Sequence, residues 1–150
     1  MALSTIPNNM QAALTSAQLP AGSVIQIQRT TQTTGNSSTT STSMVPTALS
    51  VDITPTFANS LIKIEYQTVW WLHNTASSEE YFLTTVYRTI SGGSATNIGA
   101  GNNGRVCQWG SKYRDSGNAY NYNDGINAFT FDTPNTTSSV NYKLYVSSGG

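Results

Sequence analysis

Apolar and polar side chains alternate with a period of two over much of the chain, the spacing that turns one face of a β-strand toward a core. The clearest case is residues 61–73. Ile62, Ile64, Tyr66, Trp70 and Leu72 fall on one face, and Lys63, Glu65, Gln67 and His73 on the other. Val69 and Trp71 interrupt the polar face at its far end, which predicts that this end is covered too. Residues 23–32, with Ile25, Ile27 and β-branched threonines, read as a strand. Residues 33–43 carry no apolar anchor and form either a polar loop or an extended polar edge strand. Residues 49–53 predict a short strand closed by Thr54-Pro55, and residues 81–90 a longer one followed by Gly92-Gly93. Residues 126–132 and 142–146 supply two further strands, separated by Thr133-Pro134-Asn135.

At least six short strands with turn signals between most of them, and hardly any helix, predict an all-β sandwich or barrel. The strand lengths and long crossing loops favour a jelly-roll β-sandwich over an immunoglobulin-like one, whose Cys–Trp–Cys spacing is absent. No internal repeat of solenoid or propeller length is visible. Residues 1–20 differ from the rest. Asn8 or Asn9 caps a short predicted helix with Met10, Ala13, Leu14 and Ala17 on one narrow stripe, and Pro20 with Gly22 stops it. The division is therefore a short N-terminal arm or helix, residues 1–20, followed by one jelly-roll domain, residues 21–150. An arm with so narrow a stripe either packs on something else or is a loose tail.

Composition sharpens the picture. Serine and threonine number 41 of 150 residues and asparagine with glutamine 21, while seven basic residues balance seven acidic ones. Polarity here comes from hydroxyls and amides rather than ions. A neutral chain lacks the clustered Lys and Arg of a nucleic-acid surface. No apolar run is long enough for a membrane-spanning helix. The single cysteine rules out an internal disulfide framework. Met1-Ala2-Leu3-Ser4-Thr5 lacks the basic start and apolar stretch of a secretory signal, which predicts synthesis in a cytoplasm.

Candidate catalytic groups are sparse. His73, the only histidine, ends a strand on its polar face, where a solvent-edge role needs no further partner. Cys107, in Arg105-Val106-Cys107-Gln108-Trp109, sits in an alternating run that reads as a half-buried strand, so it fits a structural thiol better than a nucleophile. Glu79-Glu80 diverge if extended, Asp124-Gly125 is a turn signature and Asp132-Thr133-Pro134 reads as a turn-forming Asp. No calcium-loop or phosphate-cradling motif occurs. The reading is a non-enzyme with no cofactor and no metal.

Recognition is better represented. Residues 109–123 are rich in Tyr, Asn, Ser and Gly, the composition of adaptable binding loops. Trp109, Tyr113, Tyr120 and Tyr122 are the candidate receptor or glycan contacts; the alternative is a long loop packed on its own sheet. Trp70-Trp71 straddle both faces of their strand, so one indole belongs to the core and the other to an interface or loop cover. With Val69 they form the candidate oligomer interface, and Met10, Leu14 and Leu19 the candidate particle-attachment residues.

Three runs carry a resemblance. Leu19-Pro20-Ala21-Gly22-Ser23-Val24-Ile25-Gln26 resembles the entry to the first strand in a family of tailed-bacteriophage virion proteins. That family is common in marine and cyanobacterial phages and is described as tail-fibre, head-fibre or decoration-like. Ser50-Val51-Asp52-Ile53-Thr54-Pro55-Thr56, leading to Ser60-Leu61-Ile62-Lys63-Ile64, is similar to its short strand, Thr-Pro turn and long apolar strand. Phe131-Asp132-Thr133-Pro134-Asn135-Thr136-Thr137-Ser138 before Val140-Asn141-Tyr142-Lys143-Leu144 is similar to its Asp-Ser-Pro turn and Tyr-Lys strand. The likeness covers residues 19–148 and rests on turn chemistry, which is silent on any ligand.

The resemblance implies a jelly roll that associates as a homotrimer on a virion and contacts other capsid or tail proteins. Such chains usually continue with another hairpin and a closing strand, whereas this one stops at Ser147-Ser148-Gly149-Gly150. Either it is truncated or its last sheet is completed by another subunit. The expectation is a capsid decoration, head-fibre or tail-fibre protein attached through its N-terminal arm, with a host-receptor or glycan-binding module as the alternative.

Overall fold

The computed structural model describes residue 20 and residues 22–74, 81–99, 107–110 and 120–149. Among the described residues seven strands follow one another: β1 (Val45–Ile53), β2 (Ile62–Asn74), β3 (Tyr81–Ile90), β4 (Thr96–Asn97), β5 (Cys107–Gly110), β6 (Tyr120–Asp132) and β7 (Val140–Gly149). They build two antiparallel sheets packed as an all-β sandwich. One sheet runs β1-β7-β3-β4, with β5 also on β3; the other is β2-β6 alone. The expected helix around Met10 and Leu14, and Leu19 with it, lie outside the described residues.

The central strand explains the arrangement. β7 lies between β1 and β3, and its Val140, Tyr142, Leu144 and Val146 are all buried. These apolar side chains at every second position face the inner side of the second sheet, as a half-covered strand requires. From β2 come Tyr66 and Trp70, and from β6 Ile126, all in the same buried cluster as Val86, Val140, Tyr142 and Leu144. Trp70 stacks on Phe82 of β3, ring centroids 5.2 Å apart and 9° from parallel. The Tyr66 hydroxyl meets Thr84 Oγ1 at 2.6 Å. Both contacts cross from one sheet to the other, so the core is fastened by geometry-specific pairs as well as by apolar area.

Local chemistry sets the irregularities. The β1–β7 register shifts between Pro46 and Ser50. Pro46 has no N–H to give the ladder. Thr47 fills in: its Oγ1 donates to the Leu144 carbonyl at 2.8 Å and accepts from the Leu49 N–H at 3.1 Å. After β3 the chain reverses through Ser91 and Gly92, both at positive φ (47° and 71°), and the Gly93 N–H donates to the Ile90 carbonyl. Two successive positive φ values define a turn whose twist matches antiparallel strands, and glycine adopts them without strain.

Two expectations need correction. Residues 23–32 form no strand and belong to no sheet among the described residues. Val24 and Ile27 are each 78% exposed. Residues 33–43 form no strand, in keeping with the polar-loop alternative. Second, the far end of the outer face of β2 is largely exposed rather than covered by the described residues: Val69 is 78% and Trp71 63% exposed.

Candidate functional site

The sheet β2-β6 is where the expected interface residues fall. Its ladder is unbroken over thirteen pairs, from Ile62 opposite Asp132 to Asn74 opposite Tyr120. Alternation then decides what each face carries. Inward go Ile62, Ile64, Tyr66, Thr68 and Trp70 from β2, with Ile126, Ala128, Thr130 and Asp132 from β6. Outward go Leu61, Val69 and Trp71, together with Phe129 (57% exposed) and Phe131 (50% exposed).

β6 therefore wears its polarity inside out. Over residues 128–132 its two phenylalanines face away from the core while Thr130 and Asp132 face into it. A register slip of one residue would reverse this and bury both rings. What holds the register is the set of polar partners inside. Arg88 of β3 places Nη1 2.8 and 3.1 Å from the two Asp132 carboxylate oxygens. The Tyr142 hydroxyl of β7 donates to Asp132 Oδ2 at 2.7 Å. This triad joins all three strands across the two sheets, with the Arg88 and Asp132 side chains only 21% and 10% exposed. Burial, reinforced by the neighbouring Asp132 carboxylate, raises the Tyr142 hydroxyl well above the ordinary tyrosine range, and Arg88 acts weakly in the other direction. Asp132 thus ties the sheets together rather than shaping the turn its Thr-Pro sequel suggested.

The outer face mixes apolar side chains with Lys63, Glu65, Gln67, Asn123 and Asn127, and its one pair of opposite charges is self-neutralised. Lys63 Nζ lies 2.7 Å from Glu65 Oε2 and 5.1 Å from the centre of the Phe129 ring. In the ladder Lys63 opposes Phe131, Glu65 opposes Phe129 and Trp71 opposes Asn123. Leu61, Phe131 and Phe129 gather at one end, Val69 and Trp71 at the other. The phenylalanines touch edge to face, centroids 5.6 Å apart. Leu61, Phe129 and Phe131 at one end and Val69 with Trp71 at the other are thus two exposed apolar clusters, separated by the exposed pair Gln67 and Asn127.

Each sequence-derived candidate has a place. Trp70 is 4% exposed in the core and presents no surface to a partner, so the interface expectation narrows to Val69 and Trp71. Trp109 lies in β5 opposite Phe82, and Tyr120 and Tyr122 lie in β6 opposite Asn74 and Leu72. The expected recognition loop over 109–123 is corrected at both ends: Trp109 belongs to one sheet, Tyr120 and Tyr122 to the other. Tyr113 lies outside the described residues. His73 and Cys107 sit in ladders opposite Asn121 and Thr84. Among the described residues no three His, Cys, Asp or Glu side chains converge as a metal would require. No helix among them is long and apolar enough to cross a membrane.

Leu61, Phe129 and Phe131 are the surface residues that sequence reasoning missed. The alternation Phe129-Thr130-Phe131-Asp132 was the available signal, but it reads as phenylalanine inward until the positions of Arg88 and Tyr142 are known. No family model, curated protein or solved structure matches this chain.

Proposed function

We propose that this chain is a non-enzymatic structural component of a bacteriophage virion, a trimeric jelly-roll protein that decorates the capsid or forms part of a head or tail fibre. The observation that carries the reading is the outward-facing apolar surface of β2-β6, with Val69, Trp71, Phe129 and Phe131 exposed on a sheet whose register is locked from within. Copies of a neutral chain meet without long-range repulsion, and a symmetric oligomer buries the same patch of every subunit. Three of the antiparallel pairings are nested, β1 with β7, β2 with β6 and β3 with β5, while β3 also pairs β4 and β7; the nesting is compatible with a jelly roll. The turn motifs that resemble those of tailed-phage virion proteins suggest the particle, and the arm of residues 1–20, with Met10, Leu14 and Leu19, is the proposed attachment element.

An antibody against the chain should label intact phage particles sedimented from the lysate in which it is made. Deleting residues 1–20 should remove the label and leave the oligomer intact. Chain found only in the soluble fraction, with unlabelled particles, would refute the virion assignment.

A further inference from the structure

Three aspartates lie among the described residues, and two of them are held by other strands. Asp132 is bound by Arg88 and Tyr142, and Asp52 Oδ1 accepts from Asn141 Nδ2 at 2.9 Å. Asp124 is different. Its carboxylate bonds to the very next residue: the Gly125 N–H donates to Asp124 Oδ1 at 2.7 Å. That contact folds the side chain back on its own main chain. It leaves the carboxyl carbon about 3–3.5 Å from the Gly125 nitrogen, the separation of reacting atoms in a near-attack geometry.

The successor residue decides whether such a contact is reactive. Asp52 precedes Ile53 and Asp132 precedes Thr133, whose branched side chains crowd the backbone nitrogen. Gly125 has no side chain, and a Cβ placed there would meet nothing within 4 Å. Water reaches the site, since Asp124 is half-buried and Gly125 exposed. In the ladder Asp124 opposes Trp70 and Gly125 opposes Val69, and β6 continues from there to Tyr120 against Asn74. In the other direction Ile126, Thr130 and Asp132 are anchored inside the sandwich.

We infer that Asp124-Gly125 is a site of spontaneous backbone modification, where the chain isomerises to isoaspartate and the β2–β6 ladder opens beyond Val69. The Gly125 nitrogen attacks the carbon of the protonated Asp124 carboxyl. An N–C bond forms, the C–OH bond breaks, and the hydroxyl leaves with the nitrogen's proton as water. The product is a five-membered succinimide. Water then adds to its main-chain carbonyl: the C–N bond there breaks, the hydroxyl stays on the carbon and a proton returns to the nitrogen. One water leaves and one returns, so mass is unchanged and no other reactant is needed. The main chain now runs through the Asp124 Cβ and is one atom longer. A strand with an extra backbone atom cannot keep its pairing and its alternation on both sides of the insertion. Because residues 126–132 are fastened, the slip falls on residues 120–123 and their partners 71–74. The inference is independent of the assembly proposed above.

Storing the full chain in warm, mildly acidic buffer and then mapping its peptides with isoaspartate-specific methylation tests it. Reading peptide by peptide separates residue 124 from Asn103-Gly104, where isoaspartate would arise by deamidation and change the mass. Isoaspartate should accumulate at residue 124 and not at Asp52 or Asp132. Gly125→Ala, whose added Cβ meets nothing, should keep the fold and slow the reaction more than about tenfold. Asp124→Glu, which would have to close a larger ring, should slow it as well. In the aged protein, hydrogen exchange at residues 71–74 and 120–123 should speed up by at least about tenfold while residues 126–132 stay protected. No isoaspartate at residue 124, or an equal rate in Gly125→Ala, overturns the site. Isoaspartate at residue 124 with exchange at 120–123 unchanged overturns the opening of the ladder.

Discussion

Removing the Asp132 carboxylate is the sharpest perturbation of the fold. In Asp132→Ala the Arg88 guanidinium stays where it is, 21% exposed, with nothing left to balance it, and the Tyr142 hydroxyl loses its acceptor. Breaking a buried pair by deleting one partner costs roughly 3–5 kcal/mol; the residual exposure of Arg88 lowers that to about 2–4. The orphaned hydroxyl adds about 1 kcal/mol. A total loss of about 3–5 kcal/mol is large against the roughly 5–15 kcal/mol that holds a domain together. With a urea m-value of about 2 kcal/mol/M, the midpoint should fall by about 1.5–2.5 M at unchanged slope. The double variant Arg88→Met/Asp132→Leu, which removes both charges and keeps apolar volume, should be more stable than Asp132→Ala. A midpoint shift under about 0.5 M for Asp132→Ala would refute the claim that this triad fixes the register of β6.

Further outcomes follow from the same contacts. Because burial raises the Tyr142 hydroxyl, the unfolded chain releases that proton first, near the ordinary pH 10. Stability from this group is complete below pH 10 and is lost above it by roughly 1–2 kcal/mol per pH unit. Denaturation at pH 8 and pH 11 should show a smaller alkaline loss in Tyr142→Phe than in the parent. Trp70→Ala removes a 4%-exposed indole stacked on Phe82 and should cost about 3–5 kcal/mol by urea denaturation. Val69→Ser with Trp71→Ser, both at exposed positions, should change single-copy stability by less than about 1 kcal/mol yet raise the dissociation concentration of the assembly in sedimentation.

The elements that the sequence discloses are those whose partners merely need to be apolar. Residues 61–73 announce a strand because their alternation matches a face that any second sheet would bury. β7 is as plain once Val140, Tyr142, Leu144 and Val146 are counted at every second place. What stays hidden depends on particular partners far along the chain. Residues 120–125, Tyr-Asn-Tyr-Asn-Asp-Gly, have little intrinsic strand preference, yet the ladder with β2 draws them in as far as Tyr120. Residues 23–32 show the converse, β-branched content with no partner in the described chain. Asp132 reads as a turn residue because its real contacts, Arg88 and Tyr142, lie 44 and 10 positions away. The candidate site suffered most, since the outward turn of Phe129 and Phe131 follows from that same triad.

Light scattering of the purified full chain over a dilution series tests most directly whether the exposed face of β2-β6 is an assembly surface. Three copies of the 16.1 kDa chain should give a mass of about 48 kDa that falls only at high dilution. A particle of 16.1 kDa throughout, with Trp71 fluorescence unchanged by concentration, would contradict the account.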